Sequence, residues 1–393
     1  MDTARHVNRG RRQILGAGIA VGSTAVAGCL GSIGDDIDET SDAGSYTVSL
    51  DHLGETTFDA IPNSAFVTFP QYADMAIALG HGEAVQSLFA TEMAGTTMDM
   101  FYDHLEGVDF EWETLDDPLA DGLTKEELYA YDCDVHFLDP SYVLLTESGW
   151  TESEIDEIGE ALGPWYGSFH SGVHSDPADA YAETYEYRTL WELFETVAEI
   201  FQERDRYEAL AAVYDDVYDR IESTLPPEDE RPTVARVTLG DGEFFTYHLN
   251  TPGFWQAETR PLGAHDALAE YDWSGDWGTV DYETLLEVDP DVILHLWGIT
   301  PRYAIDDVRD RLADHSAGST LRAVQNDRVV ASGMRYQGPI MNLFQLEMTA
   351  KQLYPDQFGA WPGHTPGDSY PEFSADEQLF DRQRVATIIT GTE

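Results

Sequence analysis

The clearest hydrophobic pattern in the chain is the stretch Thr279–Trp297, TVDYETLLEVDPDVILHLW. Tyr282, Leu285, Leu286 and Val288 stand apolar between carboxylates and predict a short amphipathic helix. Asp289-Pro290 breaks it, because proline cannot donate to a continuing helix. Val292-Ile293-Leu294 then predicts a short strand buried on both faces. The same order of signals occupies Gly122–Pro140, GLTKEELYAYDCDVHFLDP. Glu126, Leu128, Asp132, Asp134 and Val135 fall in step with Glu283, Leu285, Asp289, Asp291 and Val292, 157 residues further on. A solenoid repeat is far shorter. The pattern predicts two similar α/β lobes in tandem.

Around these stretches the chain predicts strands at Tyr46–Leu50, Ala65–Phe69, Gln86–Phe89 and Asp134–Leu138. It predicts a helix over Asp74–Leu79 ending at Gly80 and another after Thr151, with Glu154 completing a capping box. Arg188–Leu225 is the longest helical stretch, with Leu193, Ile200, Tyr207, Tyr214 and Ile221 at seven-residue steps. Gln202–Arg206 marks a break in it, and Pro226-Pro227 ends it. Further on, Thr233–Leu239, Phe244–Leu249 and Arg328–Ala331 read as strands, and His265–Tyr271 and Asn342–Leu353 as helices. Arg384–Ile389 is a late apolar piece expected to dock back.

A helix carrying a glutamate, a turn and then a "PDVIL" strand, once in each lobe, resembles the Fe³⁺-siderophore/cobalamin class of ABC-transporter substrate-binding proteins. AFVTFPQYADMAIALGHGEAVQSLFA, RYEALAAVYDDVYDRIESTL and FQLEMTAKQLYPDQFG agree in order and spacing, so the resemblance spans Tyr46 to Phe358. Cys133 stands where that family usually has proline. The resemblance implies an α/β fold of two lobes with central, mostly parallel sheets. One long helix (205–225) would join an N-terminal lobe (46–204) to a C-terminal lobe (226–393), with a ligand cleft between them. It implies a monomeric receptor that delivers its ligand to an ABC permease and its ATPase subunits. Glu126 and Glu283 would sit at the outer tips of the lobes and meet arginines of that permease.

The first 28 residues read as an address. Arg11-Arg12 precedes the small, apolar stretch Ile14–Ala27, as in a Tat export signal. Val26-Ala27-Gly28-Cys29 looks like a lipobox, so Cys29 is expected to carry lipid and hold the protein on the outer face of the cytoplasmic membrane. The apolar stretch falls short of the roughly 20 residues a membrane span needs. Residues 29–45, rich in Gly, Ser, Asp and Thr, are expected to form a flexible tether.

Without residues 1–28 the chain keeps 17 of its 21 basic and 73 of its 74 acidic residues, a formal charge of −56. Hydrophobic residues make up 42% of the chain, enough for large cores, so the acidity is not that of a disordered chain. Nucleic acid is excluded as a partner, because phosphate contacts need a basic footprint. A haloadapted surface accounts for the carboxylates and for the presence of only two lysines. Paired carboxylates therefore carry no catalytic meaning here. Apart from Cys29, Cys133 is the one cysteine, beside an apolar strand, and reads as a buried inert thiol.

Loops beyond strand C-termini form the crevice of open α/β sheets. The loops so placed nominate Tyr72, Trp165, His170, Trp255, Trp297, Arg302, Arg335 and Tyr336 as ligand contacts. The loop GPWYGSFHSGVHSDP at 163–177 reads either as a packed surface loop or as a ligand-facing one. His170 and His174 lack an evident third metal ligand, so no metal site is assigned. Arginines placed after strands can clamp anionic oxygens, or pair with surface carboxylates. Aromatics plus a few arginines suit a bulky, partly anionic chelate of Fe³⁺. Cobalamin, haem or a directly bound metal ion are the alternatives. No Gly-x-Ser-x-Gly, His-Glu-x-x-His, Cys-x-x-Cys or phosphate-binding glycine loop is present, so no enzyme and no resident cofactor are expected.

Overall fold

A computed structural model describes residues 44–273, 277–365 and 367–391. The stretch read as an export signal, Cys29 and most of the expected tether lie outside these residues. The chain from Gly44 onward forms one compact unit. It opens with the antiparallel hairpin β1 (Tyr46–Ser49) and β2 (Glu55–Phe58). The first lobe is then built on β3 (Ala65–Val67) and β4 (Val135–Phe137), paired in parallel. Parallel bridges at Ala65–Val85, Ser87–Asp116 and His136–Trp165 extend this sheet. Around it lie α1 (Pro70–Ala78), α2 (Thr91–Tyr102), α3 (Lys125–Tyr131), α4 (Pro140–Thr146), α5 (Glu152–Ala161) and α6 (Leu190–Ile200). The long helix α7 (Arg204–Thr224) follows, its buried seam formed by Leu210, Val213, Val217 and Ile221.

The second lobe has a larger sheet, β5 (Thr233–Leu239), β6 (Phe244–Thr246), β7 (His265–Asp266), β8 (Gly278–Val280), β9 (Val292–His295) and β10 (Val329–Ala331). Its order is β10-β9-β5-β6-β8, with β7 beside the start of β5. The β10–β9–β5 core and β7 are parallel, whereas β6 and β8 are antiparallel. The helices α8 (Tyr282–Val288), α9 (Ile305–Asp314), α10 (Arg322–Gln325), α11 (Pro339–Leu353), α12 (Pro355–Phe358) and α13 (Arg382–Thr390) complete the chain.

The internal repeat is structural. The helices α3 and α8 are each seven residues long and end on an aspartate in the left-handed region, Asp132 (φ 50°) and Asp289 (φ 36°). Each then feeds a buried strand. Asp134 accepts the amides of Asn63 and Ser64, and Asp291 accepts that of Thr233. The matched carboxylates thus clasp the start of the neighbouring strand in both lobes.

Some elements differ from expectation. Thr279 belongs to β8, because Gly278–Val280 pairs with β6 before the helix starts at Tyr282. Gln86–Phe89 makes only isolated bridges. His265–Tyr271 is not a helix. His265 and Asp266 pair with β5, and the Asp266 carboxylate accepts from His248 and from the amides of Leu249 and Leu268, which holds the segment extended and then turned. Pro70 at the first turn starts α1 four residues earlier than expected. The expected break falls between α6 and α7, with Gln202 at φ 57°.

A buried carboxylate ties α1 to α11. Asp74, fully buried, accepts the amides of Ile340 (2.8 Å) and Met341 (3.2 Å), satisfying orphan donors at the start of α11. Its other oxygen accepts the Tyr102 hydroxyl at 2.5 Å. Gly338 leaves the space for this contact, since a Cβ there would stand 2.4 Å from the carboxylate. The C-terminal segment is strapped to the same helix. Glu347 accepts from Tyr370, Arg382 and the amide of Leu379, while the buried Lys351 donates to the carbonyls of Phe358 and Glu377.

Burial pushes the Asp74 carboxyl up to about 7, against the hydrogen bonds from Tyr102 and the α11 amides. The folded state thus holds a proton that the unfolded chain releases near pH 4. Between about pH 4 and 7 this group makes stability fall as pH rises, by up to about 1.4 kcal/mol per unit, and the effect levels off above its folded pKa. Asp74→Asn should remove this component. Denaturant unfolding at pH 4.5 and pH 8 should show the variant gaining on the natural protein at the higher pH; a pH-independent gap refutes the assignment.

Candidate ligand-binding site

The site is built at the strand ends of the second lobe. The His295 ring at the end of β9 accepts the Leu239 amide through Nε2 at 3.0 Å, fastening β9 to β5. Two residues on, Trp297 has φ 67°, a conformation rare for a bulky side chain. The bend is held by Trp297 N–H to the Gly333 carbonyl (3.0 Å) and by the Thr300 hydroxyl to the Trp297 carbonyl (2.7 Å). It sets the indole beside Tyr336, ring centroids 5.5 Å apart.

Behind this bend lies a buried ion pair. Arg236 on β5 donates to Glu258 at 2.6 Å and to the Trp255 carbonyl at 2.7 Å. Glu258 also accepts from Ser332 (3.2 Å), Gln337 (2.6 Å) and Gln345 (3.0 Å). Burial raises the Glu258 carboxyl, against the opposing pull of Arg236 and these donors. Ser332 and Gln337 flank the segment that carries Arg335 and Tyr336, so the network fixes both ends of that segment.

Arg335 lies in an aromatic cage. Its guanidinium is 4.2 Å from the Trp255 ring centre, 4.7 Å from Tyr336, 5.5 Å from Tyr247 and 5.6 Å from Trp297. It donates to the hydroxyls of Tyr247 (2.7 Å) and Tyr336. These acceptors help fix where the guanidinium lies. The adjoining cavity, about 310 Å³, is lined on the second lobe by Thr238, Phe245, Tyr247, Trp297, Arg302, Tyr303, Arg335 and Tyr336. Phe89, Ala90 and Met93 close it from the first lobe. The lining holds two arginines and no carboxylate, histidine or cysteine.

Arg302 is exposed at the cavity edge, its guanidinium 5.7 Å from the Tyr303 ring centre. Seventeen lysines and arginines lie among the described residues. Arg302 is the one whose side chain makes neither an ion pair nor a hydrogen bond with another described residue. In so acidic a chain that is an unusual position for a cation. Three larger hollows, about 680, 670 and 400 Å³, lie around His81 and Arg206, around Arg231 and Arg328, and around Gln86 and Phe110, and all three are rimmed by carboxylates.

Of the residues nominated from sequence, Trp297, Arg302, Arg335 and Tyr336 meet at this cavity, with Trp255 buried beneath Arg335. Three do not line it. Tyr72 stacks on Phe137 inside the first lobe and accepts the Ser168 amide. Trp165 packs against His136 and Trp150 and donates to the Ile155 carbonyl. His170 is buried against Tyr185, with Nδ1 3.0 Å from the Ser175 hydroxyl. Tyr72 is carried inward on α1, and for Trp165 and His170 the cause is the inward fold of loop 163–177. Gly163 and Gly167 press onto the backbone at Asp134 and Asp139, where a Cβ would come within 2.2 and 2.3 Å. Asp139 then pins the loop by accepting the Phe169 amide and the Tyr185 hydroxyl. Burial opposes ionisation of Asp139, but His52, His170 and Tyr185 outweigh it and hold the carboxyl below its ordinary range. His174 stacks on Tyr187, and no group of three or more His, Cys, Asp or Glu among the described residues is placed to hold a metal ion.

Phe89, Met93, Phe245, Tyr247 and Tyr303 line the cavity without having been singled out from sequence. The one signal for them is position, since Tyr303 closes the loop after β9 and Phe89 lies just before α2.

A family model described as "Periplasmic binding protein" matches residues 175–336, a span that ends at Arg335 and Tyr336. No curated protein matches the sequence. Solved structures match over most of the chain at low identity. A periplasmic binding protein from Veillonella parvula is 17% identical with a TM-score of 0.56, covering 79% of this chain and 97% of its own. An ABC-type Fe³⁺-hydroxamate transport system structure from Saccharomonospora viridis is 18% identical with a TM-score of 0.52, covering 79% and 99%. The molybdate-bound periplasmic protein MolA of Haemophilus influenzae is 19% identical with a TM-score of 0.53, covering 80% and 92%. The fold is that of class III periplasmic binding proteins, two α/β lobes with a cleft between them.

Proposed function

We propose that this chain is the substrate-binding lipoprotein of an ABC importer and captures a compact, anionic chelate of Fe³⁺ in the cavity around Arg335 and Arg302. The observation that carries the reading is a cavity lining with two arginines and no carboxylate in a chain of formal charge −53. An oxygen-rich anion can take two parallel hydrogen bonds from a guanidinium. The caging aromatics offer apolar contact and keep water from the charge. Structures of the same fold support the ligand class, one from an Fe³⁺-hydroxamate transport system and another an iron-uptake substrate-binding protein of Streptococcus pneumoniae. At about 310 Å³ the cavity stands at the small end of ligand sites, roughly 300–1,000 Å³, and suits a compact chelate better than a corrin or a porphyrin. A free oxyanion is the second reading, favoured by the molybdate-bound neighbour.

Delivery to the permease is assigned to Glu126 and Glu283. Each is the second residue of a seven-residue helix, α3 and α8, and each is exposed. The repeat places them at equivalent points of two lobes, as a two-fold permease requires of a matched pair. Cys29 is assigned to the lipid anchor; among the described residues no helix is long and apolar enough to cross a membrane.

Fluorescence titration should show saturable binding of an anionic ferric chelate. Arg335→Gln and Arg302→Gln should each weaken it, the caged Arg335 by about thirtyfold, or about 2 kcal/mol. Binding of bare divalent metal ions with no response to any chelate refutes the reading. The double variant Glu126→Gln/Glu283→Gln should bind ligand normally but transport it poorly and stimulate the importer's ATP hydrolysis weakly. Normal transport by that variant would make the two glutamates ordinary surface. Cys29→Ser should move the protein from the membrane to the soluble fraction, and unchanged partitioning refutes the anchor.

A further inference from the structure

Arg382, at the start of α13, lies buried with its guanidinium between the rings of Phe344 and Tyr370, 5.2 Å from each centre. On one side it donates to Glu347 of α11 at 3.0 Å. On the other it meets Nδ1 of His104, two residues beyond the end of α2, also at 3.0 Å. A guanidinium carries donors only, so Nδ1 must be the acceptor and the imidazole must be neutral, with its proton on Nε2. The contact therefore exists only while His104 is uncharged. Tyr370 and the Leu379 amide bind the same Glu347, so the segment that leads into α13 hangs on this cluster.

Protonation of His104 would set a second cation against Arg382. Among the described residues, the other charged groups facing the ring are Asp103, its chain neighbour, and Glu372, whose carboxylate is 3.6 Å from the same Nδ1. Behind Arg382 stand Glu347 and Lys351 of α11. Glu372 would attract a protonated ring, but its side chain is 89% exposed, so water and salt screen the attraction. The His104 and Arg382 side chains are only 6% and 7% exposed, so their repulsion is screened far less. Repulsion wins. Burial first, and Arg382 after it, hold the imidazole below its ordinary range, the direction this balance requires. The helix concerned also begins at the cavity, where Ala90 and Met93 line it. We propose that His104 and Arg382 form an acid-released latch, in which protonation of His104 frees the C-terminal segment from the end of α2, the helix that closes the cavity from the first lobe. Above the ordinary histidine pKa, about 6.5, the latch is fully engaged. Below it, the contribution falls with pH and levels off once His104 is protonated in the folded state. Asp74, bonded to Tyr102 on α2, acts in the opposite sense, since acid favours its folded, protonated form.

The test is hydrogen exchange on the full chain, without ligand, from about pH 7.5 to about pH 5, with amide rates corrected for their intrinsic pH dependence. The amides of α13 should lose protection below about pH 6.5, by up to about tenfold per pH unit. His104→Gln, whose side-chain oxygen can still accept from Arg382, should leave their protection flat over this range. His364→Gln, which changes the histidine within the C-terminal segment itself, should keep the natural slope. The slope is read rather than the level, so a variant whose segment is looser at every pH still decides the matter. An acid response that survives His104→Gln or vanishes in His364→Gln overturns the latch, and so does an absence of acid response in the natural protein.

Discussion

The site depends on one buried ion pair, Arg236 with Glu258. A carboxylate without water must find donors inside the protein, or it forces its own neutralisation. Glu258 finds them in Arg236, Ser332, Gln337 and Gln345, which come from β5, from the turn after β10 and from α11. Removing one partner of such a pair typically costs about 3–5 kcal/mol, because the other charge is left buried and alone. The need to satisfy one carboxylate therefore fixes the segment 332–337 at both ends. Arg335, between those ends, has little freedom in where it projects. Glu258 pairs with Arg236, while Arg335 donates to the phenols of Tyr247 and Tyr336 inside its aromatic cage.

That local charge works against the field of the whole molecule. A formal net charge of −53 repels anions at a distance. Screening decides the outcome, since the Debye length shortens from about 10 Å at 0.1 M salt to about 3 Å at 1 M. In concentrated salt an anion reaching the cavity meets the two nearby guanidiniums and hardly any of the surface carboxylates. The same screening weakens exposed ion pairs, which suits recognition by close contacts and aromatic packing rather than by long-range steering.

How much of this could be read in advance follows from how local each signal is. The repeat was legible because all its parts are near neighbours in sequence, namely a polar N-cap, an apolar stripe, a helix-ending aspartate and an apolar strand. Trp297, Arg302, Arg335 and Tyr336 meet at one cavity for a related reason, since they follow the C-terminal ends of β9 and β10. Trp165 and His170 lie away from this cavity because an aromatic, glycine-rich loop can be exposed or folded inward with the same composition, and Tyr72 lies away from it because Pro70 starts a helix that turns it onto Phe137. Here the glycines serve the backbone contacts at Asp134 and Asp139, which no local pattern announces. Phe245 was not singled out because the face a strand residue takes is set by pairing register. The pairing of β8 with β6 joins segments more than thirty residues apart.

The two lobes are held against each other by contacts that are intolerant of separation. Asp74 reaches from α1 to cap α11, and Phe69 lies 4.9 Å from Tyr336 and Phe169 5.4 Å from Trp255. Gly253 approaches Gly172 so closely that a Cβ would stand 2.1 Å from its carbonyl oxygen. The C-terminal strap adds Arg382, which joins Glu347 on α11 to His104 just beyond α2. A wide hinge motion would strip amides from Asp74 and open an aromatic seam to water at the same time. Each such loss is of the order of a kcal/mol or more, and they would fall together. The long helix α7 adds stiffness of the same sense. The cavity is thus already formed in this frame, with Arg335 held in place by the rings around it.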